Sequence, residues 1–309
     1  WATINPKTKN LREQLGQKAG EITKQLLNFE HPAALRTCDW DLAASAWTCN
    51  HVYLFDSEEK EIVLNFQKQF TQNKKKYDAL PKSVIHGDVN DYNILVSENL
   101  KHPTIAGIFD FGDAVYSQTI NDVAILIAYA SMDVPDPLEA AIAILKGYQL
   151  EYTFSEAELH CLYVLVAMRL VTTVTKAAIR QKNESENKYH GISEEPAWDL
   201  LKKWRTIHPE FAEYSFRNAC GFDAHPQETH FTTWASKNQV SLRTMFPSEL
   251  LNSITVVDMS VGSTLFGNLS EYSDPEVSEF KLKQFNKQNP TALLANGYLE
   301  TRPFYTTDA

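Results

Sequence analysis

Long apolar runs are missing from this 309-residue chain. Its most apolar stretch, LHCLYVLVAMRLVTTVTKAAI, is interrupted by His160, Arg169 and Lys176, and the longest uncharged run, Cys161 to Met168, covers eight residues. A bilayer span needs roughly 20, so a buried helix is expected there and no membrane partner. Basic blocks are scarce too. No Lys/Arg run occurs beyond Lys74, Lys75 and Lys76, and the formal net charge is −10. That argues against a nucleic-acid partner, because such binding draws on basic side chains at phosphates. The three lysines read as a solvated helix end, where cations suit the negative pole of the helix dipole. The four cysteines, Cys38, Cys49, Cys161 and Cys220, form no C-x-x-C pair, and reduced structural thiols in a cytoplasmic protein are expected. The opening WATINPKTKNLREQLG has no apolar segment of the signal-peptide kind.

What is present is ordinary globular composition, 43% hydrophobic and 22% charged, enough for one large domain or two ordinary ones. The acidic balance is more often a solubility feature than the mark of a cationic substrate. Apolar positions at Leu11, Leu15, Ala19, Ile22 and Leu26 carry helical spacing through residues 10–29, and residues 58–80 do the same up to Pro81. The periodicity then changes. SVIH, NILV and TIAGIFDF are short β-branched runs. Helices are expected again at 119–131, 137–152, from Ser155 onward, at 194–206 and at 209–219. Ser155 and Glu158 form an S-x-x-E capping box. From Gly221 the texture turns β-branched and Ser/Gly-punctuated, so 1–220 is expected as one mostly helical domain and 221–309 as a smaller β-rich module.

The chemistry concentrates in SVIHGDVNDYNILV, residues 83–96, where acids and amides crowd one short loop between two apolar runs. Like charges at this density repel unless something positive sits among them. Three explanations compete: a solvated turn, a calcium loop and a magnesium-dependent phosphoryl-transfer site. Asx-rich turns between strands are common, because these side chains bond their own backbone. A calcium loop wants Gly at its sixth place, and Asn93 stands there. Phosphoryl transfer needs a carboxylate to take the acceptor's hydroxyl proton, with an amide and a second carboxylate to hold the metal. In kinases these arrive as an Asp, an Asn five residues on, and an Asp heading Phe-Gly. Here Asn93 lies five residues after Asp88, and Asp110 opens D-F-G seventeen residues beyond Asn93. The stretch between them is a hairpin-sized return that would bring Asp110 back to the loop.

The segments VIHGDVNDYNILV and GIFDFGD together resemble the catalytic core of the aminoglycoside phosphotransferase and choline kinase family, most closely its hydroxylysine kinase branch. The resemblance covers about residues 1–220. It implies an α+β fold, a protein-kinase-like C-terminal lobe that is mostly helical with short catalytic hairpins. It further implies that Asp88 is the catalytic base, that His86 braces the loop, and that Asn93 and Asp110 ligate Mg2+ and, through it, ATP. Two departures point away from protein kinases: Asn90 stands where a Ser/Thr kinase carries Lys, and only eight residues separate Gly112 from Asn121, with no A-P-E after them. Without an activation segment to hold a peptide, the expected partner is a small-molecule alcohol that also bears an amine. Asp113 and Asn90 are candidates to touch that substrate, with a turn-capping role open for Asp113. Asp122 reads as a dipole partner at a helix start.

A Gly-rich phosphate loop, a strand lysine and its glutamate partner are not found upstream of Asp88, where the glycines are Gly16, Gly20 and Gly87. The expectation is therefore a C-lobe without its N-lobe, a fragment that opens on Trp1 and turns over little alone. The tail segments DMSVGSTLFGN and LETRPFYTTDA resemble the region that follows the kinase in bacterial fusions with a metallopeptidase-like module and a class III aminotransferase-like domain. The rival expectation is a non-catalytic pseudokinase or scaffold module within a multidomain protein. His225 and His230 read as part of a surface loop, and Trp198 and Trp204 as helical core.

Overall fold

The computed structural model describes residues 8–97, 99, 102–183, 194–226, 229, 233 and 237. Beyond these it describes the backbone of three short strands near the C-terminus. The chain divides into two compact units, Trp1–Gly221 and Phe222–Ala309.

In the first unit, helix α1 (Lys9–Leu26) is capped by Thr8, whose side chain accepts from the Leu11 amide. It lies against α4 (Pro137–Tyr148) so closely that a Cβ on Gly147 would sit 1.8 Å from the Glu13 carbonyl oxygen. Gly16 and Gly147 therefore let two helix backbones meet where any side chain would hold them apart. Helix α2 (Ser57–Asp78) is capped by Asp56 and buries Ile62, Phe66, Phe70 and Tyr77. Between α1 and α2 runs a 3-10 segment, Leu42–Leu54, whose small and aromatic residues carry neither a helical nor a strand period.

Helix α3 (Ile120–Ala130) is almost wholly buried. Helix α5 (Glu156–Asn183) opens on the expected capping box, with the Glu158 amide donating to Ser155 Oγ and the Ser155 amide to Glu158 Oε2. It has the length and composition of a membrane span, but it is the central helix of the unit, packed by α2, α3, α6 (Glu194–Thr206) and α7 (Pro209–Ala219). Trp204 is fully buried and stacks on Tyr163, and Trp198 meets Phe55 edge-on, so both tryptophans are core. All four cysteines are free thiols.

Two small antiparallel ladders position the functional loops. β1 (Lys82–Ile85) pairs with β4 (Val115–Gln118), and β2 (Ile94–Val96) pairs with β3 (Ile105–Ile108). Ile85 lies opposite Val115 and Ile94 opposite Ile108. The loops 86–93 and 109–114 are thus pinned together at both ends, as the hairpin-sized return requires. β4 has no counterpart among the expected elements, because its four residues, VYSQ, are too few to show a strand period.

In the second unit the described strands β5 (Ile254–Val256), β6 (Leu293–Leu294) and β7 (Pro303–Thr306) form one antiparallel sheet in the order β5-β7-β6. The rest of the β-rich module expected there lies outside the described residues, as does His230. His225 is buried rather than part of a surface loop.

Candidate functional site

The loop after β1 begins with a buried imidazole. His86 is fully enclosed, its ring 4.6 Å from that of Phe111, with Nε2 3.1 Å from the Phe109 carbonyl oxygen. The Phe109 amide donates in turn to the Asn93 carbonyl at 3.0 Å. Phe109 is therefore clasped to both ends of the first loop, and Asp110 follows it directly. The His86 ring thus ties the two loops together.

Gly87 makes that approach possible. Its φ is +80°, and a Cβ there would lie 2.6 Å from the Asp113 carbonyl oxygen, so both backbone conformation and space demand glycine. Behind it, the Asp122 carboxylate accepts from the amides of His86 (3.0 Å) and Gly87 (2.9 Å). Asp122 is buried, and loss of water pushes its carboxyl above the ordinary aspartate range, against the pull of those two amides. It is more than a dipole partner at the start of α3. It is the clamp that fixes the turn into Asp88.

Asp88 has both carboxylate oxygens engaged. Oδ1 accepts from Arg169 Nη2 at 2.9 Å, and Oδ2 accepts from Asn90 Nδ2 at 2.8 Å and Asn93 Nδ2 at 3.0 Å. Asn93 Nδ2 also donates to the Asp88 carbonyl at 2.9 Å. Asn93 Nδ2 is thus committed to Asp88, and its amide oxygen is the atom that could meet a cation. Asn90 is spent twice, on Asp88 and on the Tyr92 amide that its Oδ1 caps.

Asp110 sits in the left-handed region at φ 68°, ψ 75°, and its Oδ1 accepts from the Gly112 amide at 3.1 Å. A non-glycine residue held there stores roughly 1–3 kcal/mol of strain, a cost that clusters at functional sites. Its carboxylate is exposed, and among the described residues no lysine or arginine pairs with it. Asp113 ends the same turn, 3.9 Å from Arg36 Nη2, while Arg36 donates to the carbonyls of Gly112 and Ala114. Asp113 is thus set in a turn already braced by an arginine.

Hard-metal chemistry suits these groups. Among the described residues no three His, Cys, Asp or Glu side chains gather as a self-sufficient metal cage. Magnesium does not ask for one: it binds through one or two protein oxygens, phosphate oxygens and water. The Asn93 oxygen and the Asp110 carboxylate are the donors that could serve in this way.

Arg169 was not a candidate in the sequence, where it reads only as a break in an apolar stretch. Its sole advertisement is a charge inside a long apolar stretch of sequence.

The chain is similar to the hydroxylysine kinase of Mus musculus, 27% identical over 205 residues covering 62% of this chain and 54% of that protein. It is also similar to the hydroxylysine kinase of Danio rerio, 26% identical over 217 residues covering 67% and 61%. The chain thus spans about 54–61% of the length of these curated relatives. In fold it is similar to a choline/ethanolamine kinase family protein from Mesorhizobium loti, at TM-score 0.50 and 14% identity over 71% of this chain and 70% of that one. The model of the phosphotransferase enzyme family matches residues 1–160, which take in both paired loops and Asp122. By that match, over half its length, the chain belongs to the phosphotransferase enzyme family.

Proposed function

We propose that this chain carries the catalytic lobe of a small-molecule kinase that moves the γ-phosphate of ATP to a hydroxyl on an amine-bearing metabolite. Hydroxylated amino acids are the acceptor class its relatives favour, since those relatives are hydroxylysine kinases. The observation that carries the reading is the clasp between the two loops: Phe109 bonded to His86 and Asn93, with Asp88 bonded to Asn93 and Asp110 next to the clasp.

The geometry supports the following roles. The Asn93 oxygen and the Asp110 carboxylate would hold Mg2+, which when bound neutralises the phosphate oxygens of the nucleotide. Asp88 takes the acceptor's hydroxyl proton. A carboxylate offers roughly four lone-pair sites, and Arg169, Asn90 and Asn93 occupy three through their side-chain donors. The remaining one orients the hydroxyl, which is the main service a base performs when the transition state is loose. Asp122 and His86 hold the loop in register. Asp113 and Asn90, the candidates to meet the substrate amine, are each engaged within their own turn.

The test is a panel of amino alcohols, hydroxylated amino acids and aminoglycosides scored for acceptor-dependent ADP release by the full-length protein. Release with at least one acceptor, lost in both Asp88→Asn and Asp110→Ala, is expected. Unchanged release in either variant would remove the assignment. The tail segment DMSVGSTLFGN, part of the resemblance to kinase fusions, lies outside the described residues.

A further inference from the structure

Arg169 lies in the middle of α5 with 1% of its surface exposed. Its guanidinium is held at four points. Nη2 donates to Asp88 Oδ1 at 2.9 Å and Nη1 to the Trp40 carbonyl at 2.9 Å, while the rings of Trp40 and Tyr129 face it at 4.7 Å and 5.3 Å. Nε is buried and has no hydrogen-bond partner.

Such a placement is poorly explained by stability alone. Taking a guanidinium out of water costs several kcal/mol, and apolar residues of similar volume often replace buried ion pairs without loss. In the middle of a long helix buried over most of its length, leucine or methionine would serve the core better. What apolar residues cannot do is grip Asp88 Oδ1, the oxygen that keeps the carboxylate's one remaining lone pair while Asn90 and Asn93 both donate to Oδ2. The partner Asp88 is 23% exposed and opens to the site, so the pair runs from the core to the reacting end. Position 90, where a Ser/Thr kinase carries a cation beside its base, is Asn. The cation arrives here from α5 instead.

We infer that Arg169 is a positioning residue for Asp88: its fork, fixed by the Trp40 carbonyl and two aromatic faces, sets the carboxylate's rotation and so aims the free lone pair at the acceptor hydroxyl. The inference rests on Asp88 being the base. Planarity and two-point donation matter, because lysine has one ammonium centre and cannot bridge Trp40 and Asp88 in the same geometry.

The test uses Arg169→Met, Arg169→Lys and Arg169→Gly in the full-length protein, with steady-state kinetics in ATP and acceptor. Misplacement of a catalytic group by about 1 Å costs on the order of 100-fold. Arg169→Met is expected to lower kcat by about 10- to 100-fold while KM for ATP stays within about two-fold. Arg169→Lys should fall between the two. Guanidinium ion at millimolar concentration should raise kcat of Arg169→Gly, and sodium chloride at equal ionic strength should not. A folded Arg169→Met with wild-type kcat overturns the inference. If the Met variant does not fold, Arg169→Lys decides: reduced kcat at unchanged KM supports positioning, and wild-type kcat refutes it. Asp88→Asn separates the two levels. Turnover surviving in that variant removes Asp88 as the base, whereas turnover lost there but intact in the Arg169 variants removes only the positioning role.

Discussion

Replacing a catalytic carboxylate usually relieves a protein, because active sites hold charges and strain that function demands and stability does not. Asp88→Asn should do the reverse. Asp88 is the one carboxylate bonded to the buried Arg169 among the described residues, so the substitution leaves a guanidinium in the core facing a neutral amide. Removing one partner of a fully buried pair costs about 3–5 kcal/mol. Three features reduce that here: Asp88 is 23% exposed, asparagine retains an oxygen that Arg169 can reach, and the guanidinium keeps Trp40 and Tyr129. Against them, the Asn90 and Asn93 amides lose a charged acceptor, a bond of about 1.5–3 kcal/mol when intact. The expected loss is about 2 kcal/mol, or a fall in Tm of about 4–8 °C for a unit of this size. Urea unfolding followed by tryptophan fluorescence reads it directly, with an unchanged m-value as the control on two-state behaviour. Combining it with Arg169→Met should recover part of the loss, with a coupling of about 1 kcal/mol or more. An Asp88→Asn variant as stable as the parent, or more so, would refute the pairing and with it the account of why Arg169 is buried.

Two further substitutions probe the loop clasp. Gly87→Ala forces a Cβ to within 2.6 Å of the Asp113 carbonyl at a φ of +80°, and should cost about 2 kcal/mol or more. Calorimetry and kcat should fall together, and wild-type values for both would mean the loops do not touch there. Asp122→Asn replaces a two-oxygen acceptor with one that can serve only one of the two amides, so kcat should drop with a modest loss of stability. Its pH signature has a definite sign. A carboxyl raised on folding adds stability that is fully present below its unfolded pKa, near 3.8, and is lost as pH rises through the higher folded value. The wild-type stability curve should decline through that window, and the Asn variant should be flatter; identical slopes would contradict the burial assigned to Asp122.

Local signals in the sequence account for much of the fold. The helical period fixed α2, α6 and α7 to within two residues at either end, and the Ser155–Glu158 box marked the start of α5. Helix α4 ends at Tyr148, four residues short of the expected limit. The acid and amide spacing pointed to Asp88, Asn93 and Asp110, and the short return between them is the β2–β3 ladder. The rest of the site depends on distance along the chain. Arg169 reaches Asp88 across 81 residues, and Asp122 reaches His86 and Gly87 across 36 and 35. No local period encodes such pairings: a charge inside an apolar helix reads as an interruption, and an acid in a first turn reads as a dipole partner. The 3-10 segment Leu42–Leu54, which follows the Trp40 carbonyl holding Arg169, was silent for a related reason. Its tighter winding gives neither the 3.6-residue nor the two-residue repeat.

The central claim, that oxygen donors from two clasped loops bind a divalent cation beside a triphosphate, is tested most directly by manganese titration followed by electron paramagnetic resonance, with ATP present, in the full-length protein. Asn93→Ala and Asp110→Ala should each weaken manganese binding by about ten-fold or more, equivalent to about 1.4 kcal/mol, while Asp113→Ala leaves it near the wild-type value. Binding of equal strength in the wild type, Asn93→Ala and Asp110→Ala would contradict the account.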